Sequence, residues 1–185
     1  MRIPVVGFDP SLSNWGIAEA ELDLTTGILS TPKLSVICTE STKTKQVRKN
    51  SDDIHRAEQA AKAALAAARK AKVIFVECPV GSQSARAMAS YGICVGILGT
   101  IRAEGIPLIE VSASESKLAF TQNENATKQE MIREAISLYP DANFPKHAGK
   151  VSLSKAEHVA DAIAAIHAGV LTPMFQNLLR LYSEV

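Results

Sequence analysis

Asp9, Glu77 and Asp161 carry the chemistry this sequence offers. Asp9 closes the apolar run Ile3-Pro4-Val5-Val6-Gly7-Phe8, Glu77 closes Val73-Ile74-Phe75-Val76, and Asp161 lies in Ala156-Glu157-His158-Val159-Ala160-Asp161-Ala162. A carboxylate beside a buried strand must be paired, hydrated or metal-bound, because burying it alone costs several kcal/mol even after relaxation. Three such groups from distant parts of one chain suggest one site. Magnesium prefers oxygen ligands and keeps several waters, so a few converging carboxylates suffice to hold it. Two such ions roughly 3.5 to 4 Å apart can activate a water and stabilise the leaving oxygen of a phosphodiester. His158 stands three residues before Asp161, a neighbour on the same helix face. Taken singly, each residue has an ordinary reading: Asp9 before Pro10-Ser11 as a turn former, Glu77 as half of an edge ion pair, Asp161 as a helix-stabilising acid, His158 as a satisfied histidine. Their joint placement is what points to a site.

The elements that must position them follow from pattern. Strands are expected over 3–9, 15–22 and 28–39, with a turn at Thr25-Thr26-Gly27, which makes an antiparallel meander. The stretch 52–70 is rich in Ala, Glu, Gln, Lys and Arg and predicts a helix with Ser51 or Asp52 as its N-cap. A strand over 72–77, a long helix over 84–104 stopped by Gly105, and a short strand over 107–111 come next. Three capping-box patterns, Ser112 to Glu115, Thr127 to Glu130 and Ser154 to Glu157, each open a helix, the last carrying His158 and Asp161. On that helix Ala162, Ala165 and Ala168 flank the polar face, and Val159, Ile163, Ile166 and Val170 form the adjoining apolar stripe. Small alanines there would let the helix approach a sheet closely. The segment 140–153, with two prolines and a glycine, is expected to be a flexible loop. The order predicts a mixed α/β sheet in one domain spanning 1–185.

Composition narrows the class. Hydrophobic content of 46% and charged content of 21% are those of an ordinary globular protein. No stretch is long and apolar enough for a signal peptide or a membrane span, so no membrane partner is expected and a cytoplasmic location is the default. Cys38, Cys78 and Cys94 form no Cys-x-x-Cys pair, which argues against a disulfide scaffold or a zinc site; Cys78 and Cys94 read as small core residues. A net charge of +1 means that nucleic-acid contact must use local patches. Candidates are Lys43-Thr44-Lys45-Gln46-Val47-Arg48-Lys49 and the group Lys146, His147, Lys150 and Lys155.

Gly7-Phe8-Asp9-Pro10-Ser11-Leu12-Ser13-Asn14-Trp15-Gly16 resembles the opening Gly-Ile-Asp-Pro-Gly...Gly motif of the RuvC family of Holliday-junction resolvases. Val76-Glu77 resembles its second acidic strand end, and Ala160-Asp161-Ala162-Ile163-Ala164 its Ala-Asp-Ala-Leu-Ala helix, with agreeing order from Arg2 to Gly169. The resemblance implies an RNase H-like fold: a mixed five-stranded sheet, three antiparallel N-terminal strands plus two further strands, flanked by helices. It implies a homodimer that makes paired nicks in four-way DNA junctions during recombination and repair, with magnesium, or manganese as a substitute. Asp9, Glu77 and Asp161 would then bind metal. His158, at a position held by Asp in many members and His in others, would be a fourth catalytic and metal-binding residue, sensitive to protonation at roughly pH 6 to 7. Lys117 and Lys128 resemble two basic positions that hold the DNA backbone, each neutralising a phosphate without reading a base.

The chain also departs from that family, as a divergent, phage-type branch would. Gln122-Asn123-Glu124-Asn125 stands where members often have Gly-x-Gly, and Pro79-Val80-Gly81 where many carry an aromatic after the second acid. Helix 84–104 contains Gly92, Gly96 and Gly99, each costing about 1 kcal/mol relative to Ala, so close packing on another backbone would explain them. That backbone is either the chain's own sheet or, as the resemblance implies, a second copy. The leading expectation is a metal-dependent, structure-selective DNA endonuclease that resolves Holliday junctions, in a bacterial cytoplasm or an infected host cell. The alternatives are broader cleavage of forks and flaps, or a non-catalytic junction-binding protein of the same fold.

Overall fold

A computed structural model describes residues 1–42 and 48–183, so most of the basic patch at 43–49 lies outside the described residues. The elements run β1 (Arg2–Asp9), β2 (Asn14–Asp23), β3 (Lys33–Cys38), α1 (Lys49–Ala68), β4 (Val73–Glu77), α2 (Ala85–Ala103), β5 (Leu108–Val111), α3 (Ala113–Thr121), α4 (Lys128–Leu138), the short hairpin β6 (Lys146–His147) and β7 (Lys150–Val151), α5 (Leu153–Gly169) and α6 (Pro173–Ser183). The main sheet has the order β3-β2-β1-β4-β5. β1 and β2 pair antiparallel, as do β2 and β3, while β1, β4 and β5 run parallel.

Alternation along the strands divides the core. Val5, Val73, Phe75 and Ile109 face α5 with Ile163 and Ile166. Val6, Phe8, Ile74 and Val76 face the other way, onto Ala60 and Ala64 of α1 and Cys94, Ile97 and Ile101 of α2. Each sheet face is therefore covered by helices, α5 on one side and α1 and α2 on the other. Phe175 of α6 meets Phe75 edge-on, with centroids 5.3 Å apart. Among the described residues no single helix is long and apolar enough to cross a membrane.

Several local expectations change. β3 begins at Lys33 rather than 28, because Pro32 lacks an N–H for the ladder and Leu29 makes only an isolated bridge to Leu22. Neither Ser51 nor Asp52 caps α1, which starts behind Arg48 with no side-chain cap. Asp52 sits in the first turn instead and accepts from Thr42 N at 2.7 Å and Thr42 Oγ1 at 3.0 Å. The capping boxes at Ser112 and Thr127 form in full. The third does not: α5 begins at Leu153 behind Ser152, and Glu157 turns to Lys128 instead. The segment 140–153 folds back as the hairpin β6–β7, with Phe144 buried beneath it. Asn143 there acts as a false neighbour strand for the sheet edge, since its Oδ1 accepts from Leu34 N and its Nδ2 donates to Leu34 O, both at 2.8 Å. Lys146, His147, Lys150 and Lys155 are all exposed.

Cys94 is a core residue as expected, but Cys78 is only half-buried. At Gly92, Gly96 and Gly99 an added Cβ would meet nothing within 4 Å, so packing on the chain's own sheet does not explain these glycines. They lie on the outward side of α2 with the exposed Met88 and Val95.

Candidate active site

Two adjacent parallel strands deliver two of the acids. Val5 and Gly7 on β1 pair with Val73 and Phe75 on β4. Two residues further along each strand, alternation puts Asp9 and Glu77 on the same face, toward α5, at the strand ends.

The first two strands of the meander and α5 complete the arrangement through close approach. An ideal Cβ on Gly7 would lie 1.9 Å from Ala162 O, and one on Gly16 would lie 2.1 Å from His158 O. Gly16 is the β2 partner of Asp9. Only glycine permits the helix backbone to settle there, and this seats His158 over Asp9. The small side chains on α5 contribute as expected, with Ala162, Ala165 and Ala168 all buried. His158 Nδ1 consequently lies 2.6 Å from Asp9 Oδ2, each side chain about 16% exposed.

The other candidates converge on the same place. Burial and the charge of Asp9 push the Glu77 carboxyl up to about 7, and the charge of Lys117 opposes them. Burial, followed by the charges of Asp9, Glu77 and Glu157, pushes Asp161 up to about 8. Lys128, at the start of α4, is held above its ordinary range chiefly by the hydrogen bond it donates to Glu157, with smaller help from Asp161 and Asp9. Asp9, Glu77, His158, Asp161, Lys117 and Lys128 thus lie in one neighbourhood. Asp9, Glu77 and His158 line a cleft of about 300 Å³ together with Cys78, Pro79 and Tyr91. Among the described residues no three His, Cys, Asp or Glu side chains are gathered tightly enough to cage one metal ion as they stand.

Glu157 is a site residue that the capping pattern concealed. Its Oε2 is 2.9 Å from Lys128 Nζ and its Oε1 is 3.7 Å from His158 Nε2. The signal available in the sequence was adjacency: an acid immediately before His158. Tyr91 reaches the cleft from α2, and nothing in its local sequence distinguishes it from a core aromatic.

The sheet order, the parallel β1–β4–β5 set and the flanking helices define an RNase H-like fold. The backbone is similar to that of Thermus thermophilus RuvC in complex with a Holliday junction substrate, with a TM-score of 0.64 and 17% identity over 90% of this chain and 92% of that one. It is likewise similar to a second structure of T. thermophilus RuvC, with a TM-score of 0.57 and 18% identity over 91% and 92% of the two chains. No protein-family model matches the sequence, and no curated protein shows a significant sequence match. At these identities the likeness establishes the fold, and the chemistry rests on the residues that occupy it.

Proposed function

We propose that this chain is a divalent-metal-dependent, structure-selective DNA endonuclease that resolves four-way junctions by paired nicks. The observation that carries the reading is the convergence of Asp9, Glu77, His158 and Asp161 at the ends of two parallel strands, beside Lys117 and Lys128. The similar fold of a RuvC bound to a Holliday junction supports it.

Three carboxylates and an imidazole match the oxygen-rich preference of magnesium, with manganese as a substitute. The electrostatics fit as well: Glu77 and Asp161 are driven toward protonation by burial and mutual repulsion, which a nearby cation would relieve. Asp9, Glu77, Asp161 and His158 would hold the metal, which when bound supplies an activated water and charge stabilisation at the phosphate. His158 orients Asp9 through its 2.6 Å contact. Lys117 and Lys128 neutralise backbone phosphates near the cleft, and the exposed hairpin residues Lys146, His147 and Lys150 extend that contact.

Paired cuts need two sites related by a two-fold axis. The outward side of α2, with Met88, Gly92, Val95, Gly96 and Gly99, is the surface through which two copies would associate as a homodimer. Such an enzyme acts in recombination and repair, in a bacterial cytoplasm or an infected host cell. A second reading within the same chemistry, cleavage of forks and flaps, is favoured by the Pro79-Val80-Gly81 loop, which itself brings no aromatic to the cleft. Equal cutting rates on a fork and a four-way junction would select it.

The test is a gel assay of an immobile four-way junction with magnesium, manganese or EDTA. Paired, metal-dependent nicks are expected from the wild type, and their loss with retained binding in Asp9→Asn. Binding without nicks at any metal concentration would move the protein to a non-catalytic, architectural role.

A further inference from the structure

Three polar or charged residues are buried among the described ones: Asp52, Asp53 and Ser116. Asp52 accepts from Thr42, and Asp53 accepts two bonds from Arg86 at 2.5 and 2.6 Å. Ser116, with no exposed surface, is different, since its Oγ completes no hydrogen bond to any described group.

A helical hydroxyl has an easy way to avoid that cost, which is to donate to the carbonyl four residues back. Ser90, Thr100 and Thr121 all do so here, at 3.1, 3.0 and 2.9 Å. Ser116 does not. Its hydroxyl instead lies by the Glu77 carboxylate, close to it but short of a formed hydrogen bond.

The fold leads Ser116 there. Val111 is the β5 partner of Glu77, and Cys78 N donates to Val111 O at 2.9 Å. The Ser112–Glu115 capping box then starts α3 at once and fixes its first turn. One turn beyond the cap, Ser116 is carried over the end of β4.

We propose that Ser116 is a positioning residue: its buried hydroxyl donates to Glu77 and fixes the rotamer in which that carboxylate faces the cleft and binds a divalent cation. The inference rests on the nuclease reading above and deepens it. A buried hydroxyl with no formed bond elsewhere, beside the Glu77 carboxylate, gives that acid a single preferred orientation. Groups that orient metal ligands in this way typically matter by about 10- to 100-fold in affinity or activity.

The experiment is a double-mutant cycle with Ser116→Ala, Glu77→Gln and the pair, read in three ways. Manganese affinity is measured by calorimetry on the DNA-free protein, kcat and KM on a four-way junction, and Tm in EDTA. Ser116→Ala is expected to weaken manganese binding and lower kcat by about tenfold or more, with KM and the metal-free Tm near wild type. In the Glu77→Gln background the same change should add nothing further. An active wild type with an unaffected Ser116→Ala variant would overturn the role of Ser116 alone, as would losses that persist in full in the Glu77→Gln background. A wild type that neither binds manganese nor cuts would remove the nuclease reading and this inference with it.

Discussion

The two faces of the sheet use small residues in opposite ways. Beneath α5, Gly7 and Gly16 are closed in, with helix carbonyl oxygens where their side chains would be. On the outer side of α2, Gly92, Gly96 and Gly99 open onto empty space. The first set brings a helix backbone against the strands, and the site depends on that approach for the position of His158 over Asp9. The second set weakens a helix without any return inside the chain, and it lies on the surface through which the proposed homodimer would form. The same residue type therefore marks a contact already made on one face and a surface available for contact on the other.

Substitutions test this contrast from both ends. Gly7→Ala should be the most damaging, because its Cβ would collide with backbone rather than with a flexible side chain. A loss of more than about 3 kcal/mol by urea unfolding, or failure to fold, is expected. Near-wild-type stability would show that the α5 face is not tightly closed.

Asp161→Asn probes the electrostatic side of the same closure. The folded carboxyl of Asp161 is raised to about 8 from 3.8, so the folded state keeps a proton that the unfolded chain gives up. That contribution to stability is fully present below the ordinary carboxylate range and is lost as pH rises through about 8. The metal-free wild type should accordingly lose Tm between pH 5 and 9, while Asp161→Asn loses less and melts several degrees higher at pH 9. Magnesium should recover the difference in the wild type but not in the variant. Parallel Tm curves for the two proteins would refute the assignment.

Glu157→Gln should act more mildly and on binding. It removes a negative charge from the cleft and releases Lys128 from its 2.9 Å partner, so junction affinity at low salt should rise by roughly two- to tenfold. Weaker binding would mean that Glu157 holds Lys128 where DNA needs it. The smallest effect is expected from Gly96→Ala, which should stabilise the monomer by about 0.5 to 1 kcal/mol through helix propensity and loosen self-association in sedimentation experiments. Destabilisation of the monomer would erase the difference between the two faces.

What could be read from the chain followed the range of each interaction. The strand-end acids and the capping boxes at Ser112 and Thr127 are local patterns, and the structure places each as read. The box at Ser154 misled because Glu157 has a better partner far away in Lys128, which no local pattern encodes. The cap of α1 failed for the same reason, with Thr42 taking Asp52. The prolines and glycine of 140–153 signalled a loop correctly in composition, but the anchor of that segment is a pairing of Asn143 with Leu34 across 109 positions. Ser116 looked like any helical serine until the position of Glu77 was known.

The carboxamide of Asn143 also bears on how the protein survives in a crowded solution. β3 is an edge of the sheet, and an unpaired edge is a template on which another chain can add a strand and begin to aggregate. By filling both backbone positions of Leu34, a single side chain blocks that template near the start of β3. Protection of the sheet edge is thus placed away from the proposed active site, on a residue that takes no part in it.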